Sequence, residues 1–268
     1  MNDEAGEIKR QMSNWWATSI SDISPGVIRL RGHDIAELMN DWDFLSVITL
    51  MVMNKKLNPM EQKLLNMAFI ASVDHGPQAP SIAAARMAAT CGVGLNNAVA
   101  TGVNLLGDTH GGAGQQCLEL YLQVESLRES GSDLTQATKQ IVNQWRAKSK
   151  YLPGFGHRFH PKDPRRDPIV ALLEKARDQG AISGKILDAG LAIETYINVG
   201  RTKQIPMNID GATAMIYGEL GFPPKLARGL FVLARSVGIL AHSYEEMESG
   251  SRIKGPMPTS ILPTYLGR

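Results

Sequence analysis

Strand-type alternation is confined to one stretch near the start of this chain, and that confinement decides the fold class. Thr18-Ser19-Ile20-Ser21-Asp22-Ile23 leads through Ser24-Pro25-Gly26 to Val27-Ile28-Arg29-Leu30-Arg31-Gly32, two short β-prone runs around a breaker, and the pattern predicts one small hairpin. From Asp34 onward the apolar residues recur at helical spacing instead. Without a later sheet signal, the helices of this 268-residue chain must cover one another. Aromatic residues make up only 6%, while alanine, leucine, methionine and glycine abound, as suits helices that approach closely. The reading leans towards helix packed closely on helix.

The helices can be placed from their stripes and ends. Residues 1–13 are polar and charged without an apolar stripe and read as a loosely held arm. Ile35, Leu38 and Met39 open the helical pattern, followed by a strongly apolar run over 44–53. Asn58-Pro59-Met60-Glu61 combines an N-cap residue, proline at the first helical position and glutamate at the capping-box position. A helix therefore starts there and buries Leu64, Leu65, Met67, Ala68 and Ala71. Further helices are predicted over about 80–91, 96–106, 115–129, 134–148, 186–199 and 224–249. Another follows Asp163-Pro164, with Asp163 read as N-cap and Ile169, Leu172, Leu173 and Ala176 at i, i+3, i+4 and i+7.

A hydrophobic content of 43% supports one large or two unequal domains with a substantial core. The longest apolar runs fall short of a membrane span and no basic-then-apolar leader opens the chain, so a cytoplasmic protein is expected. The formal charge is +2 and the basic residues are dispersed, which leaves no electrostatic footprint for nucleic acid. Cys91 and Cys117 have no C-x-x-C spacing and read as reduced core thiols, with neither a disulfide nor a metal site expected.

The chemistry sits in the breaks between helices. The segment 151–166 packs breakers, imidazoles and guanidiniums together: Pro153, Gly154 and Gly156 stop a helix and let backbone N–H groups approach a phosphate or an adenine edge. His157 follows, and Arg158, Lys162, Arg165 and Arg166 add positive charge. Asp74-His75-Gly76-Pro77 and Gly107-Asp108-Thr109-His110-Gly111-Gly112 repeat the pairing of breaker and histidine. Asn208-Ile209-Asp210-Gly211 delivers a carboxylate to a turn before a helix, and Arg235 and His242 share a face of the last long helix at i and i+7. Singly, each has a plain structural reading: capping for His75 and His110, an N-cap role for Asp210, a helix-face salt bridge for Arg235. Together they are the parts for carbon-acid chemistry. A carboxylate moves a proton at carbon, one imidazole donates to a thioester oxygen, another serves an alcohol or ketone, and arginines hold carboxylates.

Six motifs then appear in one order: Leu30-Arg31-Gly32-His33-Asp34-Ile35, Asp74-His75-Gly76, His110-Gly111-Gly112-Ala113, Pro153-Gly154-Phe155-Gly156-His157-Arg158 with Asp163-Pro164-Arg165, Asn208-Ile209-Asp210-Gly211, and Ala234-Arg235-Ser236 with Ala241-His242. This series resembles the citrate synthase superfamily over nearly the whole chain from about Arg29. The resemblance implies an all-α fold, with a large helical domain, 1–111 and 223–268, interrupted by a smaller one, 112–222. Asp210 is then the carboxylate that moves the proton at the acetyl methyl carbon, and His110 the imidazole at the thioester oxygen of the enol. His157 serves the hydroxyl or carbonyl of the oxaloacetate portion, while His75, Arg165 and Arg235 form the dicarboxylate clamp, where bidentate pairing favours arginine. Leu152, Pro153, Gly154, Phe155 and Gly156 match the coenzyme A adenine loop, with Arg158 and Lys162 beside it.

Two departures from the synthase pattern stand out. The spacing from His157 to Asp163 is one residue shorter, and the clamp arginine that the family takes from a neighbouring subunit aligns with Lys254, two residues after Arg252. A homodimer or higher homo-oligomer is implied. Citrate synthases carry a longer N-terminal part, whereas this chain begins close to where the citrate-synthase-like portion of ATP-citrate lyase begins. The resemblance therefore implies a stand-alone citryl-CoA lyase that yields acetyl-CoA and oxaloacetate, with a citryl-CoA synthetase as candidate partner. Coenzyme A enters only as part of substrate and product, and no permanently bound cofactor is expected. A short citrate or 2-methylcitrate synthase is the enzymic alternative. A non-catalytic CoA-binding subunit is the alternative of another class, against which the complete set of Asp210, His110 and His157 speaks.

Overall fold

The computed structural model describes residues 2–157 and 161–267. The chain is all-α in class and packs as two units, Met1–Gln62 and Lys63–Arg268. The first contains α1 (Asn2–Trp15), β1 (Ser21–Ser24), β2 (Val27–Leu30), β3 (His33–Asp34), α2 (Ile35–Asp41) and α3 (Phe44–Met53). The predicted hairpin is present, with Ser24 opposite Val27 and Pro25-Gly26 as its turn; β3 adds a third antiparallel strand too short to show a pattern. Asp34 and Asp43 cap α2 and α3 by accepting the N–H groups of Ala36 at 2.8 Å and Ser46 at 3.0 Å.

The arm expected over 1–13 is helical, α1 from Asn2, and its residues from Gly6 to Trp15 are all exposed. Glu7 pairs with Arg10 and accepts from Gln11 at 3.2 Å, i,i+3 and i,i+4 contacts that support a helix without a buried stripe among its described side chains.

Helix α4 (Pro59–Ser72) starts on the predicted capping box, with Asn58 Oδ1 accepting from Met60 and Glu61 N–H at 2.9 and 3.0 Å and Glu61 Oε2 accepting from Asn58 N–H at 2.8 Å. After it come α5 (Pro80–Ala89), α6 (Leu95–Asn104), α7 (Ala113–Glu129), α8 (Leu134–Lys148), α9 (Arg166–Asp178), α10 (Lys185–Asn198), α11 (Ile209–Glu219) and α12 (Pro224–Glu248). Helix α11 lies against α7, α9 and α10 and is buried on every side, as its nearly all-apolar sequence requires. Helix α12 is long and apolar enough to span a membrane by length and composition, yet it packs on α5, α6 and α7 and buries Arg235 and Glu246, as a core helix does.

Two smaller expectations hold only in part, for local reasons. Cys117 is a core thiol, but Cys91 is exposed because α5 stops at Ala89 and the chain turns at Gly92. Asp163 makes the expected cap bond, accepting Arg165 N–H at 3.0 Å, but the regular helix α9 starts later, at Arg166, and the same carboxylate also takes the Arg165 guanidinium.

Candidate active site

One cleft of about 170 Å³ collects His75, His157, Arg165, Asn208 and Asp210. Asp210 is the second residue of α11, and the reading of it as N-cap is corrected by its neighbour. Asn208 is the cap, its Oδ1 receiving the N–H groups of Asp210 at 3.0 Å and Gly211 at 3.3 Å. The Asp210 carboxyl is thereby left free of the helix end and accepts no hydrogen bond among the described residues. Burial pushes its pKa up, against the pull of Arg235 and Arg165 and with Asp163 adding to the rise.

The cap of α11 and the glycine-rich loop are one hydrogen-bonded piece. Asn208 N–H donates to Gly154 O at 3.0 Å, Asn208 Nδ2 to Gly156 O at 2.9 Å, and Gly156 N–H to Pro206 O at 2.7 Å. Gly154 has φ +81°, and a Cβ there would fall 2.4 Å from Cys117 Sγ and 2.9 Å from Gly211 Cα, so only glycine lets this loop lie under Asp210. The loop amides of Phe155 and Gly156, read from sequence as available to a ligand, are already bonded to Leu152 and Pro206 carbonyls.

The histidines come from loops between helices. His75 follows Asp74, whose Oδ2 accepts from Gly76 N–H at 3.1 Å and whose Oδ1 lies 3.2 Å from His242 Nε2. Gly238 on α12 makes this possible, since a Cβ there would sit 2.4 Å from Val73 O. The His75 ring centroid is 6.4 Å from that of His157. Burial lowers the His75 pKa, and Arg235, Arg165 and His157 lower it further against Asp74. His110 turns Nε2 to the first turn of α5, 3.3 Å from Ser81 N and 2.9 Å from Ser81 Oγ. A backbone N–H can only donate, so Nε2 accepts and the neutral ring carries its proton on Nδ1. Burial and then Arg235 lower the His110 pKa, in keeping with a neutral ring.

The two guanidiniums differ in how they are held. Arg165 donates Nε and Nη2 to Asp163 Oδ1 and Oδ2, both at 2.9 Å, and Nη1 to Ala71 O at 3.0 Å. Arg235, only 3% exposed, gives Nε to Ser72 O at 2.9 Å and rests over the Phe231 ring. Its terminal nitrogens have no hydrogen-bond partner among the described residues, a geometry ready for an incoming carboxylate. Ser81 is a supporting residue that sequence reading did not single out, while Asp163 and Asn208 enter that reading without the supporting contacts they make here. Asn208 carried a signal, as an Asn two residues before a carboxylate at a helix start.

Not every predicted residue reaches this cleft. Lys162 pairs with Asp167 at 2.5 Å and lines a separate cleft of about 670 Å³ with Arg166 and Glu194. Lys254 pairs with the buried Glu246 at 2.8 Å, Arg252 is exposed, and Arg158 lies outside the described residues.

Residues 49–256 match the family model described as citrate synthase, C-terminal domain. Citrate synthase 1 of Mycobacterium tuberculosis is 31% identical over 220 residues, which cover 79% of this chain and 48% of that protein. The citrate synthase of Haloferax volcanii is 28% identical over 84% of this chain and 57% of its own length. The chain thus spans about half the length of the curated relatives it matches. Among solved structures, the citryl-CoA lyase from Hydrogenobacter thermophilus superposes with a TM-score of 0.81 at 27% identity, covering 94% of this chain and 95% of that one.

Proposed function

Because the chain belongs to the citrate synthase family of enzymes, we propose that it is a citryl-CoA lyase, cleaving citryl-CoA to acetyl-CoA and oxaloacetate by a retro-Claisen route. The observation that carries the reading is Asp210: a half-buried residue whose carboxyl accepts no hydrogen bond among the described residues and whose pKa is raised, in one cleft with two imidazoles and a guanidinium. That is the equipment of an acid about to protonate carbon.

His157 takes the proton of the citryl hydroxyl as the bond from the carbinol carbon to the acetyl methylene breaks. The bond electrons pass into the thioester carbonyl, giving the acetyl-CoA enol oxygen, which the Nδ1–H of the neutral His110 meets. Asp210 then gives its proton to the methylene carbon, completing the methyl group of acetyl-CoA, while the new carbonyl leaves as oxaloacetate. His75, Arg165 and Arg235 hold the carboxylates, and the segment from Leu152 to Gly156 receives the adenine end of coenzyme A. Likeness to the Hydrogenobacter thermophilus lyase over nearly both full chains supports cleavage. The 31% identity to a citrate synthase favours condensation as the second reading.

Supplied with citryl-CoA, the protein should release oxaloacetate, followed by malate dehydrogenase coupling, faster than free thiol. Free CoA and citrate appearing first would overturn the lyase reading in favour of a synthase.

A further inference from the structure

Helix α12 holds the approach to His75 in successive turns. Arg235 Nε donates to Ser72 O at 2.9 Å, Gly238 lets Val73 O come so near that a Cβ there would sit 2.4 Å from it, and His242 Nε2 lies 3.2 Å from Asp74 Oδ1. The three residues recur at i, i+3 and i+7, along one face of the helix. Among the described residues no hydrogen bond reaches the His75 ring itself, so its place in the cleft is set by the backbone on either side of it. One side is Asp74, and the hydrogen bond that ties Asp74 to another element is the one from His242.

The His242 ring is held in its turn. Its Nδ1 is 3.4 Å from Arg86 Nη1 on α5, and a guanidinium nitrogen can only donate. Nδ1 therefore accepts, and the ring proton sits on Nε2, facing the Asp74 carboxylate. Glu245, which could have claimed an Nδ1–H, takes Arg86 Nη1 at 3.3 Å and stays 3.8 Å from Nδ1, beyond hydrogen-bond reach. Arg86 is itself fixed: Nε donates at 2.7 Å to Oε2 of the buried Glu246, whose Oε1 takes Lys254 Nζ at 2.8 Å. Asp74 ends with both oxygens bonded, Oδ2 to Gly76 N–H at 3.1 Å and Oδ1 to His242. Burial alone would raise its pKa, but these bonds outweigh burial and keep it below the ordinary carboxylate value, so it stays the anion that an imidazole N–H prefers.

We propose that His242 is a positioning residue of this enzyme, fixed by Arg86 in its Nε2–H tautomer so that it anchors Asp74 and aims His75 into the cleft. The inference rests on the reading of His75 as part of the carboxylate clamp. It is indifferent to the direction of the reaction, because oxaloacetate is bound in either.

Titration calorimetry of oxaloacetate with the full chain tests both layers. His75→Ala should weaken binding by about tenfold or more, and an unchanged affinity would remove the clamp reading and the proposal with it. Given that loss, His242→Asn should also weaken binding about tenfold, because the shorter amide cannot place a donor where Nε2 stands. His242→Gln, whose amide nitrogen does reach that place, should stay within about threefold of the parent. The double variant, His75→Ala with His242→Asn, should bind no more weakly than His75→Ala alone, since His242 acts only through His75. A readout that needs no variant to bind is the imidazole nitrogen-15 spectrum of the unsubstituted protein, assigned by the signal lost in His242→Gln, which should show Nδ1 bare and Nε2 protonated at neutral pH. With His75→Ala weakened, the proposal alone is overturned by an asparagine variant that binds like the parent, by a glutamine variant as weak as the asparagine one, by additive losses in the double variant, or by a ring protonated on Nδ1.

Discussion

The start of α9 and the start of α11 each place an aspartate near the same cleft, one buried and one half-buried, and the protein treats the two oppositely. Asp163, fully buried, has both oxygens on the Arg165 guanidinium at 2.9 Å and also accepts Arg165 N–H at 3.0 Å. Burial alone would raise its pKa, but the hydrogen bonds from Arg165 outweigh burial and hold it below the ordinary carboxylate range. Asp210 has no such partner, and its pKa goes up. Depth is therefore not what separates a supporting carboxylate from a reactive one. What separates them is whether the acceptor capacity is filled. The chain fills it at Asp163, which holds the Arg165 guanidinium. At Asp210 the Asn208 cap satisfies the helix end instead, and the carboxyl stays without a hydrogen bond among the described residues, in the lining of the cleft.

The sharpest way to break this contrast is Asp210→Asn, which keeps shape and removes the proton. Turnover should fall by about 10²–10⁴-fold, the usual reach of general acid–base catalysis. Stability should move the other way. A carboxyl whose folded pKa is raised favours the fold while protonated, and that contribution is lost as pH rises through the folded value. The amide carries no such penalty, so melting near neutral pH should rise by about 2–4 °C for each kcal/mol recovered, with no gain below the ordinary carboxylate range. Near-full turnover in this variant would remove Asp210 from the chemistry.

Asp163→Ala should do the reverse. It leaves the half-buried Arg165 without its counterion, and losing one partner of such a pair destabilises by roughly 2–4 kcal/mol after allowance for its partial exposure. Denaturant melts would read the loss directly. Substrate KM should rise more than kcat falls, since Arg165 is released rather than removed. A variant with unchanged stability and KM would mean that Ala71 O and packing suffice to hold the guanidinium.

The same pair sets opposite pH slopes. Because the folded pKa of Asp163 is depressed, its contribution is complete above the ordinary carboxylate range and disappears as pH falls through the folded value. The unfavourable contribution of an ionised Asp210 disappears over a higher range of acid pH. Comparing the stability of Asp163→Asn and Asp210→Asn with the parent from pH 3 to 8 should give difference curves of opposite sign at neutrality that converge in acid. Curves of the same sign would show that burial dominates both sites.

The parts of the fold that sequence revealed are those whose physics is local. The Asn58-Pro59-Met60-Glu61 capping box and the stripe Leu64, Leu65, Ala68 specify α4 without reference to anything distant, and the breakers around His75, His110 and His157 mark loops for the same reason. Asp163-Pro164 was half informative: the cap-type bond to Arg165 N–H forms, but the regular helix begins only at Arg166. The Arg165 guanidinium, which takes the same carboxylate, is fixed in turn by Ala71 O from another helix. Nothing within α1 announced a helix except one i,i+3 pair and one i,i+4 contact, both weak signals. Asp210 was legible as a functional carboxylate, but its lack of a partner was not, because that depends on which neighbour takes the cap.

That dependence yields the smallest and most specific prediction. Asn208 does two jobs: Oδ1 caps α11, and Nδ2 ties the cap to Gly156 O at 2.9 Å. Asn208→Ala loses both and should lower stability by about 1 kcal/mol for the cap, with a further drop for the lost tie. Asn208→Ser keeps an acceptor for the helix N–H groups but has no donor that reaches Gly156, so it should recover most of the stability. If the free state of Asp210 follows from the cap alone, turnover should recover with it. If the tie to the glycine loop also sets where Asp210 stands, the serine variant should be stable and slow, with the loss in kcat rather than in KM. Stability and turnover measured on this one pair therefore separate the cap that frees the carboxyl from the bond that aims it.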